Sequence, residues 1–300
     1  MAQPNITPAS KASSTDRTGR SVARLVRGMP TSDGAGVKLT RVLGTPELRR
    51  LDPFLMLDEF RSDEPQDYLA GFPDHPHRGF ETFTYMLAGN FRHEDNHGGR
   101  GELGAGGGQW MTAGRGIVHS EMPQQEQGLV WGFQLWINLP AKDKMRDPGY
   151  QDVQPADIPT ASLAKGVTVR VIAGKLGEHV GPAGKDRETD PHYFDVTIPA
   201  GADAEIPLPK GHAAFVYPFD GDVLAGEAGS ERALARGTLG VLNEGEHVRL
   251  ATKGDASKPS RVLVVAGKPL GEPVVQYGPF VMNTPQEIER AILDFQAGRF

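Results

Sequence analysis

His75-Pro76-His77, followed further along the chain by Gly116-Ile117-Val118-His119-Ser120-Glu121, sets three imidazoles and one carboxylate into two i, i+2 pairs. Alternate residues of a β-strand share a face. Two neighbouring strands could therefore aim all four groups into one small volume, as a first-row transition metal requires. Pro76 favours extended backbone through its fixed φ, and its ring would occupy the opposite face. The spacing predicts a mononuclear metal site on a β framework, with His75, His77, His119 and Glu121 as ligands.

Three neutral imidazoles and a carboxylate suit Fe(II), Mn(II), Ni(II), Cu(II) or Zn(II). With four protein ligands an octahedral ion keeps two positions for water, dioxygen or a bidentate oxygen substrate, whereas closed structural zinc sites usually include Cys. The ligand set points to a reactive or sensing site. Asp74, Glu81, Glu94 and Asp95 are near enough in sequence to orient the imidazoles by hydrogen bonds. Glu81 is the strongest of these, since alternation from His77 would place it on the same face.

The absence of cysteine excludes a disulfide framework, thiolate zinc, iron–sulfur clusters and a cysteine nucleophile, and a reducing cytoplasm fits best. Residues 1–20 lack the apolar core of a secretory signal and read as a flexible tail. No later run approaches a membrane span. Net charge is −6, yet residues 1–50 hold nine Lys/Arg against three Asp/Glu. Without an aromatic-basic stripe that start reads as a solvated tail and an edge strand, and no direct nucleic-acid or membrane partner is expected.

Thirty-eight Gly and 24 Pro punctuate short apolar runs such as Phe80–Leu87, Leu129–Ile137, Val167–Ile172, Tyr193–Ile198, Ala213–Tyr217 and Arg261–Val265, the pattern of antiparallel sandwiches or barrels. The Pro- and Asp-rich stretch 141–165 reads as a linker between a metal-binding domain at 21–140 and a second at 166–300. One helix is expected over 285–297, with Thr284 as N-cap, Pro285 at N1, Glu287 at N3, an apolar face of Ile288, Ala291, Ile292 and Phe295, and Gly298 as its stop.

Gly99-Arg100-Gly101-Glu102-Leu103-Gly104 matches G-x-G-x-x-G without the strand-to-helix context of a dinucleotide site, and reads as a glycine-rich loop. Serine-hydrolase, P-loop and zincin motifs are missing. His93 and His97 read as solvated loop histidines. His179, His192, His212 and His247 lie singly in the second half, which is expected to carry no metal.

The two histidine motifs resemble those of the cupin superfamily, with His75, His77, Glu81 and Gly89 in the first and Gly108, Gly116 and His119 in the second, where Gly114 stands in place of the usual Pro. Four longer blocks, 51–60, 71–82, 109–116 and 276–284, resemble the pirin family. The resemblance implies an all-β bicupin: two tandem cupin sandwiches or barrels, with the C-terminal helix crossing back toward the first. It also implies iron in the first domain, held by His75, His77, His119 and Glu121, with Glu81 beside the ligands rather than among them. Two kinds of function follow from it. One is an Fe(II)-dependent oxidoreductase, a quercetin 2,3-dioxygenase acting on a flavonol and O2, in which Glu121 also serves as the catalytic base. The other is a redox-sensitive regulator that binds a protein partner, with Arg78 and Arg115 as candidate transmitters. Phe54, Phe80 and Trp110 are candidates for an aromatic pocket or for the core.

Overall fold

Alternation of apolar and polar residues generates nearly all of the structure, a computed structural model that describes residues 18–254, 256 and 258–300. The expected tail thus lies almost wholly outside the described residues. Each apolar run noted above forms a strand, as in Phe80–Ala88, Val130–Asn138, His192–Ile198 and Ala213–Asp220. These strands build two sandwiches, each pairing a seven-stranded sheet with a four-stranded one.

The seven-stranded sheets pack against each other through their outer faces. Phe83, Tyr85, Phe133 and Leu135 of one meet Tyr193, Phe215, Tyr217 and Val265 of the other in a single apolar cluster. Polar groups inside this interface are paired, as buried groups must be. The Glu59 carboxylate accepts from the Tyr217 hydroxyl at 2.6 Å, Trp131 Nε1 at 2.9 Å and Arg236 Nη2 at 3.0 Å.

Because strand residues alternate, the opposite set faces the interior of each sandwich. In the second sandwich that set is Phe194, Val196, Ala214, Val216, Val262 and Val264, which fill the space between the sheets. In the first, the corresponding strands present Asp58, Thr84, Gln134 and Trp136, and these line a cavity of about 1200 Å³. Each aliphatic side chain buried in the second interior contributes roughly 1.5–3 kcal/mol. The first interior forgoes that stabilisation and keeps room for a ligand.

Sheet membership crosses the boundaries expected from sequence. Val22–Arg27, expected within the first unit, pairs with Thr238–Leu242 in the second sandwich. The expected linker supplies Gly149–Val153 to the first seven-stranded sheet and Thr160–Ser162 to the second.

The C-terminal helix runs Pro285–Gln296 behind a complete Thr284–Glu287 capping box. Ile288 and Ala291 pack with Phe280, Met282 and Phe300, against which Val118 of the motif-bearing strand also lies. Phe295 keeps 39% of its surface exposed. Asp294 pairs with the buried Arg78 at 2.8 Å, whose guanidinium sits 4.3 Å over the Phe300 ring. The Phe300 carbonyl accepts from Asn96 Nδ2 at 2.8 Å, and Asn96 Oδ1 accepts from the Val118 backbone N–H at 3.0 Å. The chain end is thereby pinned beside the His119 strand.

Candidate metal centre and cavity

The Phe72–His77 and Ile117–Pro123 strands pair antiparallel, with His75 opposite His119 and His77 opposite Ile117. Pleating puts His75, His77 and His119 on one face, and their ligand atoms all lie within 4.8 Å of one another. Ring centroids are 4.4 Å apart for His75 and His119, 4.7 Å for His75 and His77, and 5.0 Å for His77 and His119. After a register shift beyond His119, Glu121 lines the same cavity as His75 and His77. Thr84 Oγ1 lies 3.4 Å from Glu121 Oε1 and also donates to Gln134 Oε1.

The donor chemistry fits a cation. His75 Nδ1 lies 2.9 Å from the Pro73 carbonyl. Donation through that nitrogen leaves Nε2 with a free lone pair, the usual arrangement of a ligating imidazole. His119 is buried with both ring nitrogens unpartnered, and the Nδ1 of buried His77 is likewise orphaned. Buried polar atoms without partners are costly, and a metal would satisfy those aimed at it. Burial, reinforced by neighbouring imidazoles, holds His77 and His119 well below the usual histidine range. They are therefore neutral, the form that coordinates. Burial pushes the Glu121 carboxyl up, with His75 opposing the shift.

Trp136 packs at a tilt against Phe80, with ring centroids 4.3 Å apart, and meets His77 edge-on at 5.2 Å. Phe60, Phe72 and Phe91 add apolar wall. On the floor, Arg41 pairs with Asp58 at 2.7 Å, and burial drives the Asp58 carboxyl up to about 6 despite that partner.

Several expectations are corrected here. Glu81 does not face the histidines: it accepts from Thr112 Oγ1 at 2.6 Å and pairs with Arg187 at 2.9 Å. The cause is the Arg78-Gly79 turn, where Gly79 has φ +86° and an added Cβ would meet the Val281 carbonyl oxygen at 2.0 Å. That turn advances the pleat by one, so even-numbered residues face inward after it. Phe54 and Trp110 belong to the core between sandwiches, while Phe80 abuts Trp136. Asp74 sits at the cavity mouth. Glu94 pairs with Arg100 on the surface, and Asp95 accepts the His97 and Gly99 backbone N–H groups. Arg115 is occupied by Asp147 at 2.9 Å.

The glycine-rich run is no loop throughout, because Arg100–Leu103 is a strand paired with Phe91–Asp95. His97 is exposed as expected, but His93 is buried on that second strand, opposite Glu121. Its Nε2 lies 2.1 Å from where a Cβ on Gly101 would stand, so only glycine there leaves space for the ring. The alternation Phe91-Arg92-His93 was the available signal. In the second half, His192 and His212 are not isolated: with Asp190 they form the other group of three potential ligands within 4.8 Å among the described residues.

Two facing β-sandwiches, with a histidine-lined cavity in the first, define a bicupin carrying a candidate metal centre. A pirin family model matches residues 36–137, and a model of the pirin C-terminal cupin domain matches residues 193–300. A pirin-like protein of Caulobacter vibrioides is 52% identical over 287 residues, 94% of this chain and 99% of its own length. Human pirin is 45% identical over 267 residues, 88% of each chain. The chain belongs to the pirin family. A crystal structure of quercetin 2,3-dioxygenase from Acinetobacter baumannii superposes with a TM-score of 0.85 at 33% identity, covering 94% of this chain and 98% of that one. No helix of the described residues is long and apolar enough to cross a membrane.

Proposed function

We propose that the protein is an Fe(II)-dependent dioxygenase that opens the central ring of a flavonol, with His75, His77, His119 and Glu121 holding the iron. The observation that carries this reading is the clustering of three imidazoles, their ligand atoms within 4.8 Å of one another, at a large, partly aromatic cavity that the Glu121 carboxylate also lines. The volume of about 1200 Å³ accommodates a three-ring planar substrate with room for O2. Iron, when bound, supplies Lewis-acid polarisation of a substrate oxygen and a route for electrons to O2.

The chain's own residues divide the remaining work. Trp136 and the phenylalanine wall bind the flat aromatic rings and exclude water. Glu121, its affinity for protons raised by burial, takes the proton of the flavonol hydroxyl at a carboxylate oxygen. A carboxylate made more basic by burial suits this transfer. Overall, O2 adds both of its oxygen atoms while one ring carbon leaves as carbon monoxide.

The test is oxygen uptake by anaerobically Fe(II)-loaded protein on addition of quercetin, beside the same preparation of Glu121→Ala. Uptake matched to flavonol loss and absent in the variant supports the reading. No uptake above the free-iron background at full metal occupancy overturns it.

A further inference from the structure

The second sandwich has an interior of aliphatic side chains that ends, at one rim, in two imidazoles. His192 is the first residue of the His192–Ile198 strand, and pleating sets it on the face of Phe194 and Val196. His212 immediately precedes the Ala213–Asp220 strand, two residues before the interior-facing Ala214. Ala266 of the intervening Ser260–Gly267 strand pairs with both His192 and Ala214, which brings the two histidines to the same end of the sheet. Their rings stand 5.8 Å apart and nearly perpendicular. Small alanines beside them leave room for both.

We propose that Asp190, His192 and His212 form a second metal site, independent of the first, for a borderline divalent cation such as Zn(II). The donor atoms of the three residues already lie within 4.8 Å of one another. Ligands about 2.1 Å from a tetrahedral ion stand roughly 3.4 Å apart, a closure that rotation of the exposed Asp190 side chain can supply. His192 Nδ1 lies 3.1 Å from the Asp190 carbonyl oxygen. Donating there fixes the tautomer in which Nε2 carries the free lone pair, as in ligating histidines. His212 is 6% exposed; its Nε2 is 3.0 Å from Asp190 Oδ2, while its Nδ1 is buried without any partner. An ion pair between Asp190 and His212 alone would give His192 no part.

The turn that carries His212 is held from behind. Arg20 Nη1 donates to the His212 carbonyl at 2.9 Å and Nη2 to the Pro209 carbonyl at 2.8 Å, so the ring is positioned before any ion arrives. Two imidazoles and one carboxylate, with no thiolate, select Zn(II), Ni(II) or Co(II) over the hard oxygen-seeking cations. Since Asp190 is exposed, the remaining coordination position opens to water. None of the three residues lines the cavity of the first sandwich.

The experiment is metal counting on full-length protein stripped by chelation and equilibrated with Zn(II). Wild type should bind two equivalents. His192→Ala, His212→Ala and the double variant His75→Ala/His119→Ala should each bind one, and Asp190→Asn should weaken the second equivalent at least tenfold. Asp190 is at the surface, so its variant tests the site even if a histidine variant fails to fold. With Co(II) as probe, His192→Ala should lose one of two ligand-field bands and keep the other. A single equivalent in wild type, lost in His75→Ala/His119→Ala, overturns the inference, as does a second equivalent that survives His192→Ala and Asp190→Asn. A wild-type count of two that falls to one in His192→Ala but stays at two in His75→Ala/His119→Ala would support this site while refuting the first.

Discussion

Substituting His119 by Gln in the metal-free protein tests whether the imidazole cluster is buried in its neutral form. Burial depresses the folded-state pKa of His119 well below its ordinary value, which is about 6.5 in an unfolded chain. Above that value neither state binds a proton, and the residue adds no pH dependence. As the pH falls below it, the unfolded chain takes up a proton that the folded protein refuses, so stability declines. Between pH 7.5 and 5.5 the loss is RT ln of the ratio of unfolded binding terms, about 1.4 kcal/mol for one such histidine. His77, depressed for the same reasons, adds a similar amount. Glu121 has the opposite sign: its carboxyl is raised, so its contribution is lost as the pH rises above the unfolded carboxylate value. The wild-type total is therefore a partial cancellation, whereas the difference between wild type and His119→Gln isolates one proton. Urea unfolding of both chelated proteins at pH 7.5 and 5.5 measures it. The variant should lose about 1.4 kcal/mol less than wild type over that interval. Equal losses in the two proteins would mean that His119 is protonated or solvated when folded, and would refute the argument that the cluster is poised to coordinate.

Other consequences are as direct. Saturating divalent metal at about 100 times its Kd should raise stability by about 2.7 kcal/mol for each site filled, seen as an upward shift in the thermal midpoint that is smaller in His75→Ala/His119→Ala than in wild type by the share of the first site. Asp294→Asn removes the charged partner of buried Arg78 and should cost about 3 kcal/mol. Hydrogen exchange should then show faster opening of the helix and of the Ile117–Pro123 strand together; opening of the helix alone would deny their coupling. Tyr217→Phe deletes the hydroxyl donated to Glu59 between the sandwiches and should cost about 1.5–3 kcal/mol in urea unfolding, with no change in metal content.

Local rules made the strands and the helix readable. Thr284, Pro285 and Glu287 mark a helix start through hydrogen bonds confined to a few residues, and the observed helix, Pro285–Gln296, matches. The clustering of His75, His77 and His119 was readable for the same reason, because pleating sets the faces of their strands, and Glu121, two residues beyond His119, lines the same cavity. Glu81 was misplaced because its orientation depends on one turn: Gly79, in its left-handed conformation, reverses the parity between His77 and the next strand. Asp190, His192 and His212 were invisible as a group because strand pairing through Ala266 brings them together. That pairing spans more chain than any local pattern does.

The contrast between the two interiors was present in the sequence all along, though it could be read only once the facing residues were known. Phe83 and Tyr85 alternate with Thr82 and Thr84, while Phe215 and Tyr217 alternate with Ala214 and Val216. Both outer faces are aromatic because each sandwich covers the other. The difference lies on the inner faces, where threonine, glutamine and aspartate stand in the first domain and valine and alanine in the second. Filling the first interior with valines would gain burial energy, so its polar residues mark where packing has been given up for a ligand. At one rim of the second interior, packing gives way to the imidazoles of His192 and His212. A buried polar break in an otherwise aliphatic set is therefore a stronger pointer to a ligand than either histidine taken alone.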